Sequence, residues 1–66
     1  MRIDRVKLVA ELKRRDWKQK RLVEESGLSH ATISAVSGGK SIARSTAQKI
    51  ADALGVDVKK LIERER

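Results

Sequence analysis

The chain has 66 residues, enough for one small hydrophobic core, so we expect a single domain over residues 1–66. It contains no cysteine and only one histidine, so the sequence predicts no disulfide, no metal site rich in Cys or His ligands, and no cofactor. Sixteen Lys and Arg residues against nine Asp and Glu residues give a formal charge of +7, which favours a polyanionic partner.

No apolar stretch approaches the roughly 18 residues that a membrane-spanning helix needs. We therefore expect a cytoplasmic protein with no signal peptide, no membrane partner and no evident small-molecule ligand. Between Glu25 and Asp52 there is no acidic residue, whereas Lys40, Arg44 and Lys49 lie inside this window. Basic proteins contain such windows by chance, but this one is also what a nucleic-acid-binding surface requires.

The first predicted helix begins after Asp4, which can act as its N-cap, and ends near Arg14 or Arg15. Its apolar residues recur with helical spacing and are expected to form one wide buried stripe. The residues of this predicted stripe are Val6, Leu8, Val9, Ala10 and Leu12.

The second predicted helix runs from Trp17 to Ser26. Asp16 followed three residues later by Gln19 is typical of a capping box, which makes Asp16 the expected N-cap. Gly27 is expected to end the helix in the left-handed conformation. One face of this helix carries Leu22, Val23 and Ser26. We expect Trp17, the only aromatic residue, to cover the junction between the first two helices.

The third predicted helix is capped by Ser29 and ended by the glycines at positions 38 and 39. Ile33 and Val36 lie one turn apart and should face inward, with Leu28 packed between the helices. Only residues 27–29 separate the second and third helices, which favours a steep crossing angle. The spacing therefore predicts a helix-turn-helix over about residues 17–38.

Two further helices complete the predicted fold. The fourth has Ser45 and Gln48 as a possible cap and Gly55 just beyond its end, and its predicted buried stripe is Ala43, Ala47, Ile50, Ala51 and Leu54. Asp57 can cap a short fifth helix with Val58, Leu61 and Ile62 inside and Lys59, Lys60 and Glu63 outside. The sequence therefore predicts an all-α fold, a compact bundle of five short helices.

The run QKRLVEESGLSHATISAVSGGK, residues 19–40, resembles the helix-turn-helix of phage repressors and Cro proteins, the lambda-repressor-like or XRE family. Gln19 and Gly27 stand where this family has its helix 2 glutamine and its turn glycine. The run KIADALGVDVKKLI resembles the fourth and fifth helices of the family, so the similarity covers nearly the whole chain. The predicted core of the motif is Leu22, Val23, Gly27, Leu28, Ile33 and Val36.

The sequence departs from the family pattern at two positions. Val23 stands where the family favours alanine, which predicts a slightly wider crossing of the second and third helices. Ser37 replaces a glutamate that pairs with a helix 1 arginine in the family, and the nearest residues here are Leu12 and Lys13. Because both partners are replaced together, we expect an apolar contact at this place.

The resemblance implies that helix 3 enters the major groove of DNA, and the helical wheel puts small and polar residues on its outward side. The predicted base contacts are His30, Ala31, Ser34 and Ala35. The predicted backbone contacts are Gln19, Thr32, Lys40, Ser41 and Arg44, with Lys18 and Lys20 as weaker candidates. Alternatives stay open for four of these residues. Gln19 can support His30 instead of contacting a phosphate, and Thr32 can simply support the first turn. Ser34 can be merely solvated, and Lys20 can be a surface charge.

These expectations amount to a sequence-specific double-stranded DNA-binding regulator, a repressor that acts as a homodimer. The expected dimer contact involves Val58, Leu61, Ile62 or neighbouring exposed surface. An antitoxin or restriction-controller type of regulator and a helical protein-interaction module stay open as alternatives. An enzyme is not expected, because no acidic residue lies near His30 in the sequence to assist catalysis.

Overall fold

The computed structural model describes residues 1–62, and within them the chain forms four α-helices and one short 3-10 helix. The helices are α1 (Arg5–Arg14), α2 (Gln19–Ser26), α3 (His30–Ser37) and α4 (Arg44–Leu54), followed by the 3-10 helix Val58–Lys60. The predicted all-α class is confirmed. No helix among the described residues is long and apolar enough to cross a membrane.

One core joins all of these elements. Its buried residues are Ile3, Leu8, Leu12, Leu22, Ile33, Val36, Ala47, Ile50, Ala51, Leu54 and Leu61. Around this core pack half-buried apolar side chains, among them Trp17, which lies between α1 and α2 as expected. The burial of Ile3 was not predicted, and it arises because residues 3 and 62 form an isolated antiparallel bridge.

The predicted fifth helix is a single 3-10 turn. Asp57 caps it as expected by accepting a hydrogen bond from the Lys59 amide. Directly after this turn, the carbonyl group of Leu61 accepts a hydrogen bond from the Asp4 amide over 2.6 Å, so this end of the described chain pairs with the N-terminal segment. The Leu61 side chain is fully buried in the core, so the prediction that it contributes to a dimer contact is wrong. The predicted exposure of Glu63 lies outside the described residues.

The predicted buried stripe of α1 is wrong in three of its five positions. Leu8 and Leu12 are buried, but Val6 and Val9 are 77% and 40% exposed and Ala10 is exposed as well. The inward side of α1 instead continues to Arg15, whose guanidinium group donates to the carbonyl oxygen of Leu54 at the end of α4. This contact and the burial of Leu8 and Leu12 fix the rotation of α1, and in this rotation Val6 and Val9 face solvent.

The predicted capping box at the start of α2 is also wrong. Asp16 has a φ of 56°, and the amide that follows it, that of Trp17, donates to the Leu12 carbonyl group. Asp16 therefore cannot be an N-cap, because an N-cap residue needs extended backbone, and it lies instead in the turn just after α1. The helix begins two residues later than predicted, with Lys18 as its N-cap and Gln19 as its first residue.

The start of α4 differs from its prediction in the same way. Ala43 is the N-cap and is exposed, so it does not belong to the buried stripe, whose other four residues are buried as predicted. Ser45 lies within the helix and does not cap it. The Gln48 side chain donates instead to Asp52 within α4. Gly55 ends the helix with a φ of 70°, as expected.

Candidate nucleic-acid interface

The turn between α2 and α3 has the backbone that the sequence predicts. Gly27 has a φ of 73° and donates its amide to the Val23 carbonyl group. A Cβ atom at Gly27 would meet nothing within 4 Å, so glycine is favoured here by its backbone conformation and not by lack of space. Ser29 then caps α3 by accepting a hydrogen bond from the Thr32 amide over 3.1 Å.

Apolar contacts fix the inward side of α3. Ile33 and Val36 are 0% and 1% exposed, and Leu22 of α2 is fully buried beside them in the same core. Val23 and Leu28 are half-buried and pack against this core. Of the predicted core of the motif, Leu22, Ile33 and Val36 are fully buried, whereas Gly27 is exposed. The burial of Ile33 and Val36 leaves the opposite side of α3 facing outward.

The outward side of α3 carries three of the four predicted base-contacting residues. His30, Ala31 and Ser34 are exposed, and none of them makes a side-chain hydrogen bond within residues 1–62. The fourth, Ala35, is half-buried at the edge of this side, and its carbonyl group accepts from the Lys40 amide. Small side chains such as those of Ala31 and Ser34 let a helix approach base edges closely.

The Thr32 side chain has a structural partner. It is half-buried, and its hydroxyl group lies 2.8 Å from the hydroxyl group of Ser29. This contact supports the first turn of α3, which is the alternative that the sequence left open. A phosphate contact by Thr32 stays a prediction.

The loop after α3 lies beside the N-terminal segment of the chain. Lys40, Ser41 and Arg44 are exposed, as backbone-contacting residues must be. The Ile42 amide donates to the carbonyl group of Met1 over 2.7 Å, and the Met1 amino group donates to Ser41 Oγ over 3.2 Å. Sequence reasoning missed this neighbour, because the two segments lie 40 residues apart and no local pattern relates them.

The start of α2 reaches the end of α3 through one polar contact. Gln19 Nε2 donates to Ser37 Oγ over 2.9 Å. The predicted apolar substitute at this place is therefore wrong, because two polar side chains satisfy each other there. The bond is to Ser37 and not to His30, the other partner considered for Gln19. Lys18 and Lys20, on either side of Gln19, are exposed.

The helix α3 and the segments directly before and after it contain no acidic residue, because none occurs in residues 26–51. Arg21 lies over the Trp17 ring, 5.0 Å from its centroid, and its Nε atom contacts the Glu25 carboxylate at 2.8 Å. On α1, the hydrogen bond from Arg15 lowers the pKa of Glu11 below its usual value, although burial of the carboxylate opposes this effect. Glu25 and Glu11 are thus each paired with arginine on their own helix or at its end.

A match to a known family identifies the type of motif that α2 and α3 form. Residues 7–66 match the family model of the Cro/C1-type HTH DNA-binding domain. The chain belongs to this family. A comparison with curated protein sequences gives no match. The Cro/C1-type family assignment agrees with the resemblance that the sequence showed, and it makes α2 and α3 the helix-turn-helix of a DNA-binding domain.

Solved structures of the same fold come from larger proteins. A cadmium-containing PhpD is similar with a TM-score of 0.83 and 23% identity. A mutant of hydroxyethylphosphonate dioxygenase is similar with a TM-score of 0.85 and 24% identity. Each match covers all of this chain but only 14% of the other, and at this identity it shows the fold alone. Within residues 1–62 of the Cro/C1-type chain, no cluster of three or more His, Asp or Glu residues is placed to hold a metal ion.

Proposed function

We propose that this Cro/C1-type domain is a sequence-specific regulator of transcription that represses by placing α3 in the major groove of duplex DNA. The observation that carries the proposal is the outward side of α3, where His30, Ala31 and Ser34 are exposed above a fully buried Ile33. An inward-facing His30 or Ser34 would have removed the groups that read bases.

The chemistry of these side chains suits base edges in the major groove. His30 can donate a hydrogen bond to a guanine acceptor, Ser34 can donate or accept, and the methyl groups of Ala31 and Ala35 can contact thymine methyl groups. No Arg or Asn on this side offers a bidentate contact, so we expect modest direct readout supported by DNA shape.

The flanking residues supply affinity without sequence preference. Lys40, Ser41 and Arg44 follow α3, and Lys18 and Lys20 lie on either side of Gln19. All five side chains are exposed, so each can contact a phosphate. We place these contacts, together with Gln19, on the DNA backbone.

We further propose a homodimer, because one such domain reads only a few base pairs and two can read half-sites about one DNA turn apart. Val58 and Ile62 are half-buried, so part of each is accessible for this contact. We also propose that the domain acts in the cytoplasm and catalyses no reaction.

A second candidate function is a helical protein-interaction module within a larger protein. It is favoured by the two solved structures, in which the same fold makes up 14% of a much longer chain. A fold can serve different functions in different chains, so this candidate needs an experiment.

Titration of the chain with duplex DNA at several salt concentrations separates the two candidates. A regulator binds a duplex selected from a random pool more tightly than a scrambled duplex, and its affinity falls linearly on a log–log plot as salt rises. Equal and weak binding to both duplexes at low ionic strength would contradict the proposed function and favour the interaction module.

A further inference from the structure

The hydrogen bond between Gln19 and Ser37 connects the start of α2 to the end of α3, the two helix ends that the turn at residues 27–29 does not connect. Gln19 is the first residue of α2, Ser37 is the last of α3, and residues 27–29 connect the opposite ends. Within residues 1–62 this is the one side-chain hydrogen bond between α2 and α3. The pair is therefore restrained covalently at one end and by this bond at the other.

Because Ser37 is the last residue of α3, this bond can restrain the angle between α3 and α2. Ser37 lies at the far end of the helix from His30, about 10 Å along the axis at about 1.5 Å per residue. Ile33 and Val36 anchor one stripe of the helix, and Ser37 follows Ile33 by one turn on the same side. A restraint at this end limits how far the helix can swing about the turn at Gly27.

We propose that Gln19 and Ser37 form an orientation lock, a pair of positioning residues that fixes the angle at which α3 presents His30 and Ser34 to base edges. This inference rests on the proposed function. One N–H of the Gln19 amide is used by Ser37, and the second N–H stays available to donate to a phosphate oxygen. The orientation lock would thus also hold in place the Gln19 side-chain amide, which the family resemblance assigns to a contact with the DNA backbone.

The first test needs no DNA and measures the side-chain amide resonances of Gln19 by NMR. We expect Ser37→Ala to shift them, because the acceptor is lost, and Ser37→Thr to leave them close to their wild-type positions, because the hydroxyl group is kept. Thermal unfolding of each variant checks that the fold is intact. Unchanged Gln19 resonances in Ser37→Ala would overturn the lock whatever the DNA result.

The second test is a double-mutant cycle with a duplex selected from a random pool by the wild-type chain and a scrambled duplex of equal length. Gln19→Ala and Ser37→Ala should each lower the preference for the selected duplex by about three- to tenfold, the effect of one hydrogen bond. The double variant should lose no more than the more severe single variant, because both changes break the same contact.

Two controls sharpen this cycle. Gln48→Ala removes an exposed helical glutamine whose side chain bonds to Asp52 in α4, and it should keep the wild-type preference. Ser37→Thr should keep it too. Additive losses, or a Ser37→Ala variant with full preference, would overturn the lock and leave Gln19 as a direct phosphate contact. Failure of the wild-type chain to bind any duplex would instead overturn the proposed function, which the NMR test does not depend on.

Discussion

Helices α1 and α3 both carry apolar residues on more than one side, yet only α3 is oriented as its sequence predicts. In α3 the buried residues are Ile33 and Val36, whereas in α1 the valines of the predicted stripe are exposed. The difference lies in what surrounds each helix. A glycine turn and a serine cap fix the start of α3, but α1 is oriented by distant partners, the Leu54 carbonyl group among them.

The comparison also separates two uses of an exposed helix side. On α3 the exposed side carries Ala31 and Ser34 beside His30, and no acidic residue occurs in residues 26–51. On α1 the Glu11 side chain is paired with Arg14 and Arg15, so its charges contribute to the fold. Substitutions that distinguish the roles of α1 and α3 should therefore have larger effects through packing than through charge.

The largest expected effect comes from the inward side of α3. Ile33→Ala should lower the free energy of unfolding by about 2–5 kcal/mol, because it removes a fully buried side chain and leaves a cavity. Denaturant unfolding measures this loss. A loss below about 1 kcal/mol would contradict the role of Ile33 as the anchor of α3.

The turn that sets the start of α3 should give the next largest effect. Gly27→Ala should cost about 1–2 kcal/mol, because alanine is strained at a φ of 73°. Gly38→Ala is the matched control, since Gly38 has a φ of −81° and a Cβ atom there would make only ordinary contacts, the nearest at 3.5 Å. Equal effects of the two substitutions would show that the backbone of the turn is not strained by a side chain.

The charge pairs of α1 predict a smaller, pH-dependent effect. The pKa of Glu11 is lowered in the folded chain, chiefly by its hydrogen bond from Arg15, so its stabilisation is present above the unfolded value of 4.5 and is lost as the pH falls through the folded value. Glu11→Gln should lower Tm at neutral pH, and its difference from the wild type should shrink in acid. Glu24→Gln, on exposed surface of α2, removes the same charge without breaking an ion pair seen in residues 1–62 and serves as the control.

The smallest effect is expected on the outer side of α1. Val6→Lys should change the free energy of unfolding by no more than about 0.5 kcal/mol, because the side chain is 77% exposed. Leu8→Lys, two residues further along, should unfold the chain because Leu8 is buried. Thermal unfolding of both variants checks the orientation of α1, and a severe loss in Val6→Lys would restore the stripe that the sequence predicted.

Particular residues show how far sequence reasoning reaches. Short-range chemistry predicted the caps at Asp4, Ser29 and Asp57, the left-handed glycine at position 27 and the helix-ending glycine at position 55, because each depends on a few neighbouring residues. It failed at Asp16, where a capping pattern was outweighed by the need to end α1. It also failed for Ile3, whose burial depends on contact with the end of the described chain.

The candidate site divides in the same way. The exposed residues His30 and Ser34 follow from the helical period once Ile33 and Val36 are assigned inward. The bond from Gln19 to Ser37 joins positions 18 residues apart, and no local rule links a glutamine to a serine at that distance. Family patterns pointed to the position but suggested an apolar contact, so only the folded arrangement revealed the partner.

The most direct test of the central claim compares affinity for a selected and a scrambled duplex in the His30→Ala/Ser34→Ala double variant. The account predicts that preference for the selected duplex falls about tenfold or more while affinity for the scrambled duplex is kept. Arg44→Ala should instead weaken both duplexes and flatten the salt slope by about one. An unchanged preference in the double variant, with its fold intact, would contradict the claim that the outward side of α3 reads DNA.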